Sequence, residues 1–279
     1  MKNLLGVMQG RLLPKYKNKF QAHPVGNWNK EFVIASKLGF DCIEFILDYD
    51  QCDANPLLTN HGLKEILFYS KSNGVFVKSI CADYFMESPI FDEKIEIRKQ
   101  NLKIFQKLIK SANQIGVTDI VLPLVDKSSI LNDNAKQISA IKFIQELIKN
   151  CKHYDVNICI EADLPPDEFL KFIKKINEKN VKINYDTGNS ACSGYNFVEE
   201  FNLYGDFVTN IHIKDRNFNK GSIELGQGDF NFQKFFKFLS TKEYKGIFIL
   251  QAYRGVNALS SLIPQYSFIK AIMEKYYYN

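Results

Sequence analysis

The chain has 279 residues and a formal net charge of +5, with basic and acidic residues mixed along its length. No block of like charge stands out, which argues against a nucleic-acid partner. Hydrophobic residues make up 46% and charged residues 24%, the balance of a soluble globular chain with ample material for one large α/β barrel or two small domains.

Six cysteines occur without any C-x-x-C pair, mostly in or beside apolar runs. That pattern fits buried thiols in a reducing compartment and argues against a disulfide scaffold or a zinc knuckle. The first apolar run is broken by Gln9 and Arg11, too soon for a signal peptide, and no later run is long enough to span a bilayer. The expected location is therefore the cytoplasm, with no membrane partner.

In chain order, Leu4 to Gln9 reads as a first strand. A long Lys-rich loop follows to about Asn27, of the kind that often forms a lid or a substrate wall. A helix from about Asn29 to Leu38 ends at Gly39, a typical C-terminal glycine. The second strand is Asp41 to Leu47. Helical periodicity then runs from about Leu57 to Ser72 and stops at Asn73-Gly74. Val75 to Ala82 is the third strand, with a loop over 83–89. An amphipathic helix from about Glu93 to Ile115 ends at Gly116, with Ile97, Ile104, Leu108 and Ile115 as its apolar stripe.

The fourth strand is Asp119 to Val125, followed by a helix over about 134–153. The fifth strand is Val156 to Glu161, after which Pro165-Pro166-Asp167-Glu168 opens a helix. Val181 to Tyr185 and Phe207 to Ile213 are the sixth and seventh strands. A helix over about 231–239 leads to the eighth, Gly246 to Leu250, and a last helix spans about 260–277. These strands are continuous apolar runs, as expected when both sheet faces are buried. Eight such runs, each followed by a helix or helix-like segment, predict one α/β domain over 1–279, a single (β/α)8 TIM barrel. A doubly wound open sheet is the competing fold, but no Gly-rich phosphate loop follows the first strand.

Four of the strands end in groups able to bind a cation: Glu161, Asp186, His212 and Gln251. The C-terminal ends of barrel strands are where such enzymes keep their chemistry. Each residue also has a bland explanation. Glu161 could sit in a salt bridge, Asp186 in a turn bonded to its own backbone, and His212 in the core. Lys214 and Arg216 alternate with His212, which places two cations on one pleat face with an imidazole and suggests an anionic substrate. Two carboxylates and an imidazole suit Mn, Mg, Co or Fe(II), with Zn also compatible.

With these residues in place, the chain resembles the xylose-isomerase-like sugar isomerase and epimerase superfamily, which also includes endonuclease IV. The resemblance is carried by Glu161, Asp186-Thr-Gly, His212-Ile-Lys-Asp-Arg216 and Leu225-Gly-Gln-Gly-Asp229. It implies a divalent metal held by Glu161, Asp186 and His212, Glu161 as catalytic base, and Arg216 on substrate oxygens.

Two positions depart from the family pattern. Asn189 replaces a common histidine that touches substrate. Gln251 replaces the glutamate that ketose 3-epimerases use as fourth ligand and second acid/base. An amide oxygen can still coordinate, but it carries no proton at neutral pH. The implied function is a metal-dependent isomerase or epimerase of a sugar or sugar phosphate, acting through an enediol with Glu161 as single base. Asp83, Glu44 and Lys214 are candidates for a second acid.

The alternative is a non-catalytic sugar-binding barrel that has lost its second glutamate. An abasic-site nuclease is disfavoured, because its three-zinc cluster needs more histidine than this chain places at strand ends. Arg11 and Arg254 end neighbouring strands and could hold a phosphate or sugar carboxylate, or form rim salt bridges. Trp28, Tyr84, Phe85 and Tyr253 could line a sugar's apolar face or simply pack loops. The Gly226-Gln-Gly228 segment reads as a turn. The aromatic C-terminus and Phe-rich helices offer a surface for a homo-oligomer.

Overall fold

The computed structural model describes residues 3–278. Its elements in chain order begin with β1 (Leu5–Met8), α1 (Lys30–Leu38), β2 (Cys42–Ile46), α2 (Asn60–Asn73), β3 (Phe76–Cys81), α3 (Tyr84–Glu87) and α4 (Ile95–Ile115). Next come β4 (Asp119–Leu124), α5 (Asn134–Cys151), β5 (Asn157–Ala162), α6 (Pro166–Ile176), β6 (Val181–Asp186), α7 (Thr187–Ser193) and α8 (Phe197–Tyr204). The chain ends with β7 (Val208–Ile213), β8 (Asp215–Arg216), β9 (Ser222–Ile223), α9 (Phe232–Ser240), β10 (Ile247–Leu250) and α10 (Ala258–Tyr276).

Eight strands close into a barrel in the order β1-β10-β7-β6-β5-β4-β3-β2, while β8 and β9 form a separate two-stranded ladder. The chain divides into two compact units, Met1–Ile43 with Asn184–Asn279, and Glu44–Ile183. The cuts fall inside β2 and inside β6.

In the first unit, β1 pairs in parallel with β10, and β10 with β7. In the second, β3, β4 and β5 pair in parallel, and β5 continues onto the start of β6. The residues of β2, β4 and β10 are buried throughout, as continuous apolar runs demand. Gly39 and Gly116 end α1 and α4 in the left-handed conformation, as the sequence predicts. No helix among the described residues is long and apolar enough to cross a membrane.

Several local expectations need correction. The buried residues of α4 are Asn101, Phe105, Leu108, Ile109, Ser111 and Ala112, so of the expected stripe Leu108 is buried while Ile97, Ile104 and Ile115 are only half-buried. Asn101 disguises that face. It is a polar residue whose amide donates to the Ser88 and Pro89 carbonyls and whose oxygen accepts from the Ser88 hydroxyl. The 83–89 loop contains α3, and its Tyr84 and Phe85 are buried, with Phe85 stacked on Phe105 at 4.8 Å between ring centroids. Phe85 is therefore core packing. The segment after Asp186 folds as α7 and α8, which are too short to show a helical period in the sequence.

Candidate active site

Glu161 is the penultimate residue of β5 and Asp186 the last of β6. Ile160 pairs with Ile183, so Glu161 and Asp186 have the same parity and point to one face of the sheet. His212 lies on β7, opposite Ile249 of β10. Gln251 is two residues beyond Ile249, so it shares the face of His212, and its own N–H extends the ladder to the Ile213 carbonyl at 3.0 Å. Glu161, Asp186 and His212 each offer one ligand atom, and these atoms lie within 4.8 Å of one another at buried positions.

The residues around Asp186 explain why Asp-Thr-Gly stands there. Asp186 Oδ1 caps α7 by accepting from the Asn189 N–H at 2.8 Å, and Oδ2 lies 3.3 Å from Lys214 Nζ. Thr187 is fully buried. Its hydroxyl donates to the Lys214 carbonyl at 2.6 Å, with the His212 carbonyl 3.2 Å away, and accepts from the Lys214 N–H at 2.9 Å. One hydroxyl thus stitches the end of β6 to the end of β7 and fixes Asp186 relative to His212. Gly188 leaves room for Lys214, because a Cβ there would stand 2.8 Å from Lys214 Cγ.

Lys214 and Arg216 do not lie on the pleat face of β7, which ends at Ile213. Lys214 lies in the link that follows β7, and Arg216 belongs to β8, paired with Ser222 of β9. Arg216 Nη1 donates to Asn189 Oδ1 at 3.1 Å, and its Nε donates to the Lys220 carbonyl at 2.8 Å. Asp215 between them points the other way, accepting from the backbone N–H groups of Gly226, Gly228 and Phe230 at 2.9, 3.0 and 3.3 Å. The Gly226-Gln-Gly228 turn is held by that one carboxylate.

Sequence reasoning missed another buried carboxylate beside the site. Glu200 on α8 accepts from the hydroxyls of Tyr185, Ser190 and Tyr204 at 2.7, 2.6 and 2.8 Å. Burial pushes its pKa up, against the pull of these three donors. The network ties α7 and α8 to the strand residue just before Asp186. Tyr185 and Ser190 flank the Asp-Thr-Gly motif, but Glu200 is ordinary in sequence terms.

Arg11 and Arg254 are 2% and 3% exposed, and both are engaged with main chain. Arg11 donates from Nε to the Ala252 carbonyl at 3.0 Å and from Nη1 to the Phe20 carbonyl at 3.4 Å. Arg254 donates from Nη2 to the Leu13 carbonyl at 2.8 Å and from Nη1 to the Phe20 carbonyl at 3.1 Å. These two guanidiniums organise the loop after β1. Glu31 shares their surroundings, with Oε1 accepting from the Gly10 N–H at 2.7 Å, and burial pushes its pKa up to about 8. His23 in the same loop is held beside Gln9 Oε1 at 2.9 Å, and burial lowers its pKa to about 4.

The donor set suits a divalent cation. Two carboxylates and one imidazole nitrogen converge, and the Gln251 carbonyl oxygen is buried without a hydrogen-bond partner. A buried amide oxygen left bare costs about 1–3 kcal/mol unless something else takes its lone pair. A cation coordinated there would offset that cost. Hard oxygen ligands with a single imidazole match Mg, Mn, Fe(II) or Co, and Zn also accepts such a set.

The family model described as "Xylose isomerase-like TIM barrel" matches residues 32–265. A putative L-ribulose-5-phosphate 3-epimerase of Haemophilus influenzae is 24% identical over 267 residues, covering 89% of this chain and 92% of that protein. The IOLI protein, solved with a bound zinc atom, superposes with a TM-score of 0.77 at 15% identity over 99% of this chain and 100% of that one. A D-psicose 3-epimerase from Clostridium cellulolyticum H10, solved with D-tagatose, gives a TM-score of 0.74 at 15% identity over 97% of this chain and 99% of that one.

Proposed function

We propose, from the premise that this chain belongs to the xylose isomerase-like TIM barrel family, that it is a divalent-metal-dependent isomerase or epimerase of a sugar or sugar phosphate. The observation that carries this reading is the convergence of Glu161, Asp186 and His212 within 4.8 Å at buried positions. The same reading takes residues 1–279 as one barrel domain.

A cation bound there supplies Lewis-acid polarisation of the substrate carbonyl. The chain's own residues do the rest. Glu161 removes the proton from the carbon beside the carbonyl and, in an isomerisation, returns it to the neighbouring carbon. Lys214 and Arg216 supply positive charge for an oxyanion or a phosphate. Arg216 and Asn189, bonded to each other, present a paired donor and acceptor to substrate hydroxyls.

Gln251 has no proton to give, so inversion by a pair of glutamates is closed to this site. A single-base shuttle that moves a proton between C1 and C2 needs no second acid. A 3-epimerisation, the reaction in the names of the relatives, would draw its second proton from another side chain. Asp83, Glu44 and Lys214 stay the candidates for that role. A sugar-binding barrel without catalysis is the weaker reading, because the base and three cation ligands persist together.

The test is proton NMR in D2O with Mn or Mg and a panel of pentose and hexose phosphates and free sugars, L-ribulose 5-phosphate first. Deuterium at C1 or C2 supports the isomerase, and deuterium at C3 with inversion supports the epimerase. Exchange with none of them, with or without metal, returns the protein to a binding role. Glu161→Gln should remove all exchange, and full activity in that variant sinks Glu161 as the base.

A further inference from the structure

Gln251 is not free to turn its amide. Its Nε2 donates to Gln21 Oε1 at 2.9 Å. The same Gln21 oxygen accepts from Arg11 Nη2 at 3.0 Å. A guanidinium has five donors and no acceptor, so the Gln21 atom facing Arg11 has to be the carbonyl oxygen. Once Gln21 is fixed that way, Gln251 has to present its NH2 group to Gln21. Its carbonyl oxygen then points away, and that is the buried oxygen without a hydrogen-bond partner. Arg11 is itself clamped, because its Nε donates to the carbonyl of Ala252, the residue next to Gln251.

We infer that Arg11 and Gln21 are positioning residues that hold the Gln251 amide with its oxygen turned to the cation formed up by Asp186 and His212. The inference rests on the metal reading above and extends it to residues that touch no ligand. Outer partners of this kind orient ligands and set their donor strength. The relay also accounts for an amide where a carboxylate is usual. A glutamate at 251 would set two acceptors, its own oxygen and Gln21 Oε1, against each other. Turning Gln21 over to relieve this would set its NH2 against Arg11. A ligand oxygen that is oriented but uncharged is the arrangement this chain of donors can support.

The experiment is calorimetric titration of Mn into the metal-stripped full chain, for wild type, Gln21→Leu, Gln251→Leu, the double variant and Gln21→Glu. Gln21→Leu is expected to weaken binding by about tenfold, the low end for loss of an outer partner. In the Gln251→Leu background the same change should cost less than about twofold, as coupled residues require. Gln21→Glu keeps an acceptor for both Arg11 and Gln251 and should bind at least as tightly as wild type, which separates loss of the acceptor from damage to the fold.

Equal losses in both backgrounds, or no loss in Gln21→Leu, overturn the relay. Mn binding that is abolished by Asp186→Asn yet indifferent to Gln251→Leu overturns the relay and leaves the metal site standing. No Mn binding by wild type overturns both.

Discussion

Lys214 Nζ lies 3.3 Å from Asp186 Oδ2, in an ion pair whose side chains are 17% and 1% exposed. The lysine occupies the neighbourhood that a cation bound by Asp186 would share. It would therefore compete with such a cation for the carboxylate and repel it. Between the dielectric of bulk water and an effective value near 20, a unit charge about 4 Å away is worth roughly 1–4 kcal/mol. Lys214→Met keeps the aliphatic stem and removes the charge, so Mn should bind about tenfold or more tightly, a 1.4 kcal/mol gain per decade. Titration calorimetry reads this directly, and unchanged or weaker binding would show that Lys214 does not oppose the cation.

Gly188 makes room for that lysine. A Cβ at Gly188 would stand 2.8 Å from Lys214 Cγ and 3.1 Å from its Cβ and Cδ. Gly188→Ala should cost about 1–3 kcal/mol, the usual penalty for overpacking. In a Lys214→Ala background the closest atoms are gone, and the same substitution should cost under about 1 kcal/mol, since contacting residues are not additive. Urea unfolding of the four proteins checks this. Equal costs in both backgrounds would place the strain elsewhere.

Thr187→Val tests the stitch between β6 and β7. The variant is nearly isosteric but leaves the Lys214 N–H and carbonyl without their buried hydroxyl partner. A loss of about 1–3 kcal/mol is expected. Mn affinity should fall with it, because Asp186 and His212 are no longer tied. Thr187→Ser keeps the hydroxyl and should recover most of both. A Thr187→Val protein with wild-type stability and Mn affinity would mean that the stitch is idle.

The barrel and the cluster of Glu161, Asp186 and His212 were legible in the sequence for one physical reason. Both depend on local patterns, since apolar runs at one-βα spacing give the strands and a polar residue at the end of a run gives the site. Glu161, Asp186 and His212 carry that signal in their immediate neighbours. Gln21, Thr187, Glu31 and Glu200 do not. Gln21 meets a residue 230 positions away, and Thr187 meets residues 25 and 27 positions away. Nothing in the local sequence of a glutamine in a polar loop announces such a partner. Arg11 and Arg254 were visible as rim cations, but their bonds to backbone carbonyls and, for Arg11, to the Gln21 side chain depend on the loop's path. The stripe on α4 was misplaced because a satisfied buried asparagine looks like a surface residue.

Glu31 gives the protein a pH dependence of defined sign. Burial raises its pKa from 4.5 to about 8 despite two amide donors and the nearby Arg254 and Arg11. The folded protein therefore holds a proton that the unfolded chain has lost, and the stability this confers is complete below pH 4.5 and lost as pH rises through 8. His23 works in the opposite sense, since burial lowers its pKa from 6.5 to about 4. Its neutral buried form adds stability as pH rises from 4 to 6.5. The two slopes oppose each other between 4.5 and 6.5, and above 6.5 only that of Glu31 remains. At about 1.4 kcal/mol per pH unit, the protein should lose about 2 kcal/mol between pH 6.5 and 8. Glu31→Gln cannot ionise and still offers an oxygen to the Gly10 N–H, so its stability should stay level over that interval. Urea midpoints at the two pH values decide it. An equal fall in wild type and Glu31→Gln would mean that Glu31 is already ionised in the folded protein, held by Arg11 and Arg254 against the cost of burial.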